Sequence, residues 1–243
     1  MKLLIKFPTR QRPELFFKTL ERYIAMASGR HEIEIIVSMD NDDKLMNNEV
    51  VRKKFERIKA NGNDLKYFYG NSSTKVEAIN ADMDKASGDW DMVFNGQDDM
   101  IPLSFGYDDM MLSRLVEHYP DTDGALWLDD HAMGGTNNCT IVAAGRKYYE
   151  RFNYIYYPGY KSLFADNEYT EVGNLLKKLT YIADDIVKHE WIGTNEFRDP
   201  LLERNEQPWL YTYDKMVFER RKNLGFPNDG GEVWKSHKSD PQP

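Results

Sequence analysis

Apolar runs and polar breaks alternate regularly over the first hundred positions. Residues 2–7 form a short apolar run edged by Lys2 and read as a buried strand. Pro8-Thr9-Arg10-Gln11-Arg12-Pro13 follows as a loop, with Pro13 where the first turn of a helix belongs. Phe16, Leu20, Tyr23, Ile24 and Ala27 then recur with helical spacing, and Gly29 ends the helix. Residues 33–39 are a second strand, closed by Asp40-Asn41-Asp42-Asp43. Val51, Phe55 and Ile58 mark a second helix, which Asn61-Gly62-Asn63 breaks. Residues 65–69 are a third strand. Val76, Ile79, Met83 and Ala86 predict a third helix ending at Gly88. Residues 90–94 are a fourth strand, running into Asn95-Gly96-Gln97-Asp98-Asp99-Met100.

This β-α-β-α-β-α-β order predicts an α/β fold, a doubly wound and mostly parallel sheet flanked by helices. Such sheets bind ligands beyond the carboxyl ends of their strands. Those ends carry Thr9-Arg10, Asp40-Asn41-Asp42, Gly70-Asn71 and Gln97-Asp98-Asp99. All are polar and the last is doubly acidic. The second half is less regular. A helix near 111–118, strands at 125–128 and 139–144, a short helix at 145–152 and a helix at 166–178 are expected, with short strands before His189. Residues 193–208 are polar and rich in breakers, as a mobile loop is. A last helix is expected over 213–223, and the Gly/Pro-rich stretch 226–243 reads as a loosely ordered tail.

Charge narrows the partners. The net charge is −8, which argues against a general nucleic-acid binder. From 89 to 131 eleven acidic residues face one basic residue, Arg114. That cluster is either a solvated face or, in part, a hard-cation site. A single cysteine, Cys139, excludes a disulfide framework and a cysteine zinc site. No apolar run is long enough to span a membrane, and residues 2–7 are too short for a signal peptide, so a cytoplasmic location is expected. No G-x-G-x-x-G follows a strand, and neither a P-loop nor a G-x-S-x-G elbow is present. What remains is Gln97-Asp98-Asp99 at a strand end, where paired carboxylates can hold Mg²⁺ or Mn²⁺ against phosphate oxygens.

The order of these motifs resembles the GT-A fold of nucleotide-sugar glycosyltransferases, in particular the inverting family 2-like group. The resemblance covers residues 2 to about 190, and it lies in the order of the motifs. It implies one domain over 1–225, with a nucleotide-sugar-binding half (1–100) and an acceptor-side half (101–225). It implies that Pro8, Thr9, Arg10 and Arg12 wrap the nucleotide, that Asp40 bonds the base, and that Lys75 and Asn80 lie near the diphosphate or base. Gln97 and Asp98 belong to the same donor site. The family's metal motif is Asp-x-Asp, and here Gly96 stands where its first aspartate would fall, leaving Asp98 and Asp99 as ligands. His189 resembles the family's late histidine ligand. Ala165-Asp166-Asn167-Glu168 resembles the helix start that carries the general base, which implies Asp166, with Glu168 as the second choice.

The function so implied is metal-dependent transfer of a sugar from a nucleotide-diphosphate donor, a UDP-sugar in first place, to an acceptor hydroxyl with inversion. The cofactor is Mn²⁺ or Mg²⁺. Two other readings share the pattern. One is a nucleotidyltransferase, which normally has a glycine-rich loop after its first strand; Pro8–Arg12 has no glycine. The other is a degenerate GT-A binding module, favoured by Gly96 and Ala165. The acceptor is open between glycan, small molecule, protein and modified base. Tyr154, Tyr156, Tyr157, Tyr160, Trp127 and Trp209 either stack on it or pack the core.

Overall fold

The computed structural model describes residues 1–131, 137–190 and 200–227. Among these the first half runs β1 (Lys2–Pro8), α1 (Pro13–Met26), β2 (Glu32–Asp40), α2 (Glu49–Ala60), β3 (Asp64–Gly70), α3 (Lys75–Asn80), β4 (Met92–Asn95) and β5 (Met100–Pro102). The second runs α4 (Tyr107–His118), β6 (Ala125–Leu128), β7 (Ile141–Gly145), α5 (Arg146–Glu150), α6 (Ala165–Leu176), β8 (Leu179–Ile182), β9 (Val187–His189), α7 (Pro200–Asn205) and α8 (Pro208–Asn223). No described helix is long and apolar enough to cross a membrane.

One sheet has the order β3-β2-β1-β4-β7-β6-β8, and β5 pairs with β9 in a separate ribbon. β1 runs parallel to both β2 and β4, and β2 to β3. β7 is antiparallel between β4 and β6, and β6 is parallel to β8. The sheet is therefore mostly parallel, as the alternation of apolar runs predicts. Strand order reverses at β1, the switch point where such sheets leave a crevice.

β1 is buried on both faces, so it reads as a run and not as an alternation. Leu3, Ile5 and Phe7 pack with Phe16, Leu20 and Tyr23 of α1 and Phe55 of α2. Leu4 faces the opposite layer, with Val76 and Ile79 of α3 and Tyr148 of α5. The Phe7 ring meets Phe16 and Tyr23 edge-on, each at 5.6 Å between centroids. The aromatic stretch of the second half is mostly core: Trp127, Tyr156 and Tyr160 are buried, while Trp209 stands exposed.

Three expectations need correction. The third helix does not reach Ala86. It ends at Asn80, Asp82 takes a left-handed φ of 60°, and 83–85 form one 3₁₀ turn. Side chains break it, because Asp82 Oδ2 accepts a hydrogen bond from Ser38 Oγ at 2.5 Å. Second, the stretch expected as a loop over 193–208 contains helix α7; its residues 193–199 lie outside the described residues. Third, α8 begins at Pro208, five positions before the expected start, because proline suits the first turn.

Ser38 also accepts from Lys6 Nζ at 2.5 Å. Lys6 is fully buried, and desolvation pulls its ammonium down to about 7 against the opposing Asp82 charge. The unfolded chain holds this proton up to its ordinary value of 10.5. Between about 7 and 10.5 folding therefore releases a proton, and stability rises with pH by at most about 1.4 kcal/mol per pH unit. Below about 7 both states are protonated and the contribution stays at its lowest. Lys6→Met is expected to flatten this rise. Urea unfolding midpoints of both proteins at pH 7, 8 and 9 check it, and equal slopes would refute the assignment.

Candidate functional site

Beyond the carboxyl ends of β1, β2 and β4 the chain opens into a cleft of about 200 Å³. Pro8, Thr9, Arg10, Arg12 and Asp40 line one side. Lys75, Gln97, Asp98, Asp99 and His189 line the rest, with Ser162, Leu163 and residues of α7.

The loop after β1 is held by the acidic run after β2. Gln11 adopts φ 63°, and its N–H donates to Asp43 Oδ2 at 2.7 Å. Arg10 Nη1 donates to Asp40 Oδ2 at 2.8 Å and to Asp42 Oδ1 at 2.6 Å. Adjacent aspartates therefore have separate tasks: Asp43 shapes the loop, Asp42 holds Arg10 from the surface, and Asp40 is buried facing the cleft.

The acidic motif is held by α1. Thr19 Oγ1 donates to the Asp98 carbonyl at 2.7 Å, Tyr23 Oη to the Met100 carbonyl at 2.8 Å, and Arg22 Nε to the Pro102 carbonyl at 2.9 Å. These residues stand at i, i+3 and i+4 on one helix face. The helical stripe in the sequence showed Tyr23 only as core, and Thr19 and Arg22 not at all. Gly96 also finds its reason. A Cβ there would meet Phe7 at 3.2 Å and Ile5 at 3.3 Å, so a side chain at position 96 would press on the apolar layer beneath β1.

The two carboxylates differ. Asp98 Oδ1 accepts from Arg12 Nη1 at 3.0 Å. Asp99 Oδ2 lies 3.5 Å from His189 Nε2, and Asp99 Oδ1 is buried with no hydrogen-bond partner. The β5–β9 ribbon sets this juxtaposition. Met100 stands opposite His189, and Glu190 N–H donates to the Asp99 carbonyl at 2.8 Å. Burial works to raise the Asp99 pKa, but hydrogen bonding and charge from His189, with the charges of Lys75 and Arg12, hold it below the ordinary carboxylate value. No group of three or more His, Cys, Asp or Glu side chains among the described residues is arranged to hold a metal. Two protein ligands with an orphaned buried oxygen suit a hard cation whose remaining oxygens come from a ligand.

Three implied site residues, Asn80, Asp166 and Glu168, are not among those that line the cleft. Asn80 does not line the cleft. Its Nδ2 donates to the Tyr156 carbonyl at 2.6 Å and its Oδ1 accepts from the Ile155 and Tyr156 N–H groups, so it fastens the aromatic loop to α3. Glu168 is buried, receives Arg221 through two hydrogen bonds of 2.7 Å, and accepts from Tyr160 Oη at 2.8 Å. A carboxylate held this way ties α8 to α6 and is not open to an acceptor. Asp166 stands in the first turn of α6 and is half-buried; it does not itself line the cleft, whose wall reaches Leu163, three residues before it. The loop before it is held by Asp214 of α8, whose carboxylate accepts the N–H groups of Lys161, Ser162 and Leu163, each at 2.8 Å. Nothing in the local sequence marked Asp214, because its partners lie some fifty residues away.

No family model and no curated protein matches the sequence. Solved structures match in fold. A mannosyltransferase from Pyrobaculum calidifontis, in complex with GDP-Man and Mn²⁺, has TM-score 0.57 and 13% identity, covering 92% of this chain and 75% of that one. S. aureus TarS in complex with UDP-GlcNAc has TM-score 0.58 and 16% identity over 77% of this chain, which spans 58% of the TarS chain. The 4-diphosphocytidyl-2C-methyl-D-erythritol synthase of Anaerococcus prevotii has TM-score 0.51 and 12% identity, covering 88% and 95%. At these identities the likeness is one of fold, and together with the strand order it shows that this chain is built on the GT-A fold of nucleotide-sugar glycosyltransferases.

Proposed function

We propose that the protein is a glycosyltransferase that moves a sugar from a nucleotide-diphosphate donor, a UDP-sugar in first place, to an acceptor hydroxyl with inversion. One observation carries the reading. The orphaned Asp99 Oδ1, its neighbour His189 and the cations Arg12 and Lys75 meet in one cleft at the switch point of a GT-A sheet. The complexes of the fold neighbours with GDP-Man and Mn²⁺ and with UDP-GlcNAc support a donor of this class.

Each residue then has a task. The loop Pro8–Arg12 and Asp40 receive the nucleoside, and the Asp40 carboxylate accepts an N–H of the base. Gln97 and Asp98 line the floor of that donor site, with Asp98 keeping Arg12 turned into it. Lys75 has no ion-pair partner among the described residues, and its charge faces the diphosphate. Asp99 and His189 would hold Mn²⁺ or Mg²⁺. A cation bound there supplies neutralisation of the diphosphate charge as the leaving group departs. Asp166 takes the proton of the acceptor hydroxyl as its oxygen attacks the anomeric carbon from the face opposite the diphosphate. The sugar's configuration inverts in that displacement.

Titration calorimetry tests the donor. UDP and UDP-sugars are expected to bind with Mn²⁺ present and to lose affinity in EDTA. Asp40→Ala is expected to weaken binding by about 1.5–3 kcal/mol, the contribution of one hydrogen bond to a charged group, while Asp42 still holds Arg10. Unchanged affinity in Asp40→Ala rejects its role at the base. Failure of every nucleoside diphosphate and its sugar to bind, with and without cation, rejects the donor reading.

A further inference from the structure

We infer that Asn138 is a positioning residue for the proposed base, holding the Asp166 carboxylate in one rotamer; this rests on the reading of Asp166 as the base. Asn138 lies just before β7, in a part of the chain that no sequence motif singles out. Its Nδ2 donates to Asp166 Oδ2 at 2.8 Å. Its Oδ1 accepts from Thr170 Oγ1 at 3.0 Å. Thr170 is buried on α6, one turn beyond Asp166, and its single hydroxyl proton is shared between Asn138 Oδ1 and the Asp166 carbonyl, 2.8 Å away. The same Oγ1 accepts the Cys139 N–H at 2.9 Å, which ties the backbone beside Asn138 to that helix.

The amide can face only one way. Turned over, its oxygen would stand against the Asp166 carboxylate, acceptor against acceptor, in a half-buried site. As placed, one end is gripped by Thr170 and the other offers a proton to Asp166. The second carboxylate oxygen, Oδ1, accepts the Asn167 N–H at 3.0 Å. Donors on both oxygens fix the orientation of the carboxylate. Asp166 keeps open lone pairs, since each oxygen accepts one bond and the side chain is only half-buried. A base held in this way needs no rotamer search when the acceptor arrives.

The test uses full-length protein with Mn²⁺ and the tightest binder among UDP-glucose, UDP-galactose and UDP-GlcNAc, reading UDP release with water as acceptor. Asn138→Asp is nearly isosteric and keeps an oxygen for Thr170, but it presents an acceptor to Asp166. Asn138→Ala removes both bonds and serves as the second variant. Each is expected to lower kcat about 10- to 100-fold, the scale of one hydrogen bond to a charged group, with the donor KM unchanged. Asn138→Ala is expected to cost nothing further once Asp166→Asn is present, because its effect runs through that carboxylate. Asn138 variants with wild-type kcat, beside a slow Asp166→Asn, overturn the positioning role and leave the base standing. An undiminished Asn138→Ala loss in the Asp166→Asn background, or a raised donor KM, also overturns it, as a general packing effect. Wild-type turnover in Asp166→Asn removes the base reading and this inference with it.

Discussion

Asp166→Asn is expected to leave the fold and the donor affinity intact and to lower turnover by about 10²–10⁴, the range that general bases contribute. The reason is chemical. Asparagine has nearly the same shape and can still accept from Asn138 Nδ2 or the Asn167 N–H, but it cannot take an acceptor's proton at neutral pH. Losing a negative charge in the first turn of α6 costs only about 0.3–1 kcal/mol. Thermal unfolding should therefore hardly move while the rate collapses. Glu168→Gln should behave in the opposite way. It leaves the Arg221 guanidinium buried without its anion, and breaking such a pair costs about 3–5 kcal/mol. Its signature is loss of folded protein, with the turnover of what remains folded little changed. Wild-type UDP release by Asp166→Asn would falsify the assignment of the base.

Asp99→Asn is expected to remove the response to Mn²⁺. Neutralising the diphosphate is worth several kcal/mol in such transfers, so the rate should fall by about 10²–10⁴. Asp99 is held ionised by His189, Lys75 and Arg12 in spite of its burial, so it meets a cation without first losing a proton. Asp98→Asn separates the two neighbours. Asp98 is engaged by Arg12, so its loss should weaken donor binding and leave the Mn²⁺ response in place. Calorimetric Mn²⁺ titrations of both variants, with UDP present, measure this. If Asp99→Asn keeps the wild-type Mn²⁺ stimulation and Asp98→Asn loses it, the ligand is Asp98 and the pairing of Asp99 with His189 serves structure alone.

The periodicity of residues 2–100 determined the elements of the first half and their alternation, because strand and helix spacing are local properties of the chain. With the preference of such sheets for right-handed parallel crossovers, that alternation was enough to place Thr9, Arg10, Asp40 and Asp98 at one edge of the sheet. The sequence could not show which residues meet from a distance. His189 joins Asp99 through the pairing of β5 with β9, ninety positions apart; a short strand before His189 was legible, but its three-residue partner β5 was not. Asp82 ends α3 because Ser38, on a different strand, offers its hydroxyl there, and helical propensity carries no trace of that partner. Glu168 and Asp166 look alike at the start of one helix. Arg221 from α8 takes one, and Asn138 from the edge of β7 holds the other half-open. Local spacing settled where the carboxylates stand along the chain. Tertiary packing decided which of them are neutralised by a buried partner and which keep lone pairs for chemistry, because an ion pair or an amide contact forms only after distant elements have docked.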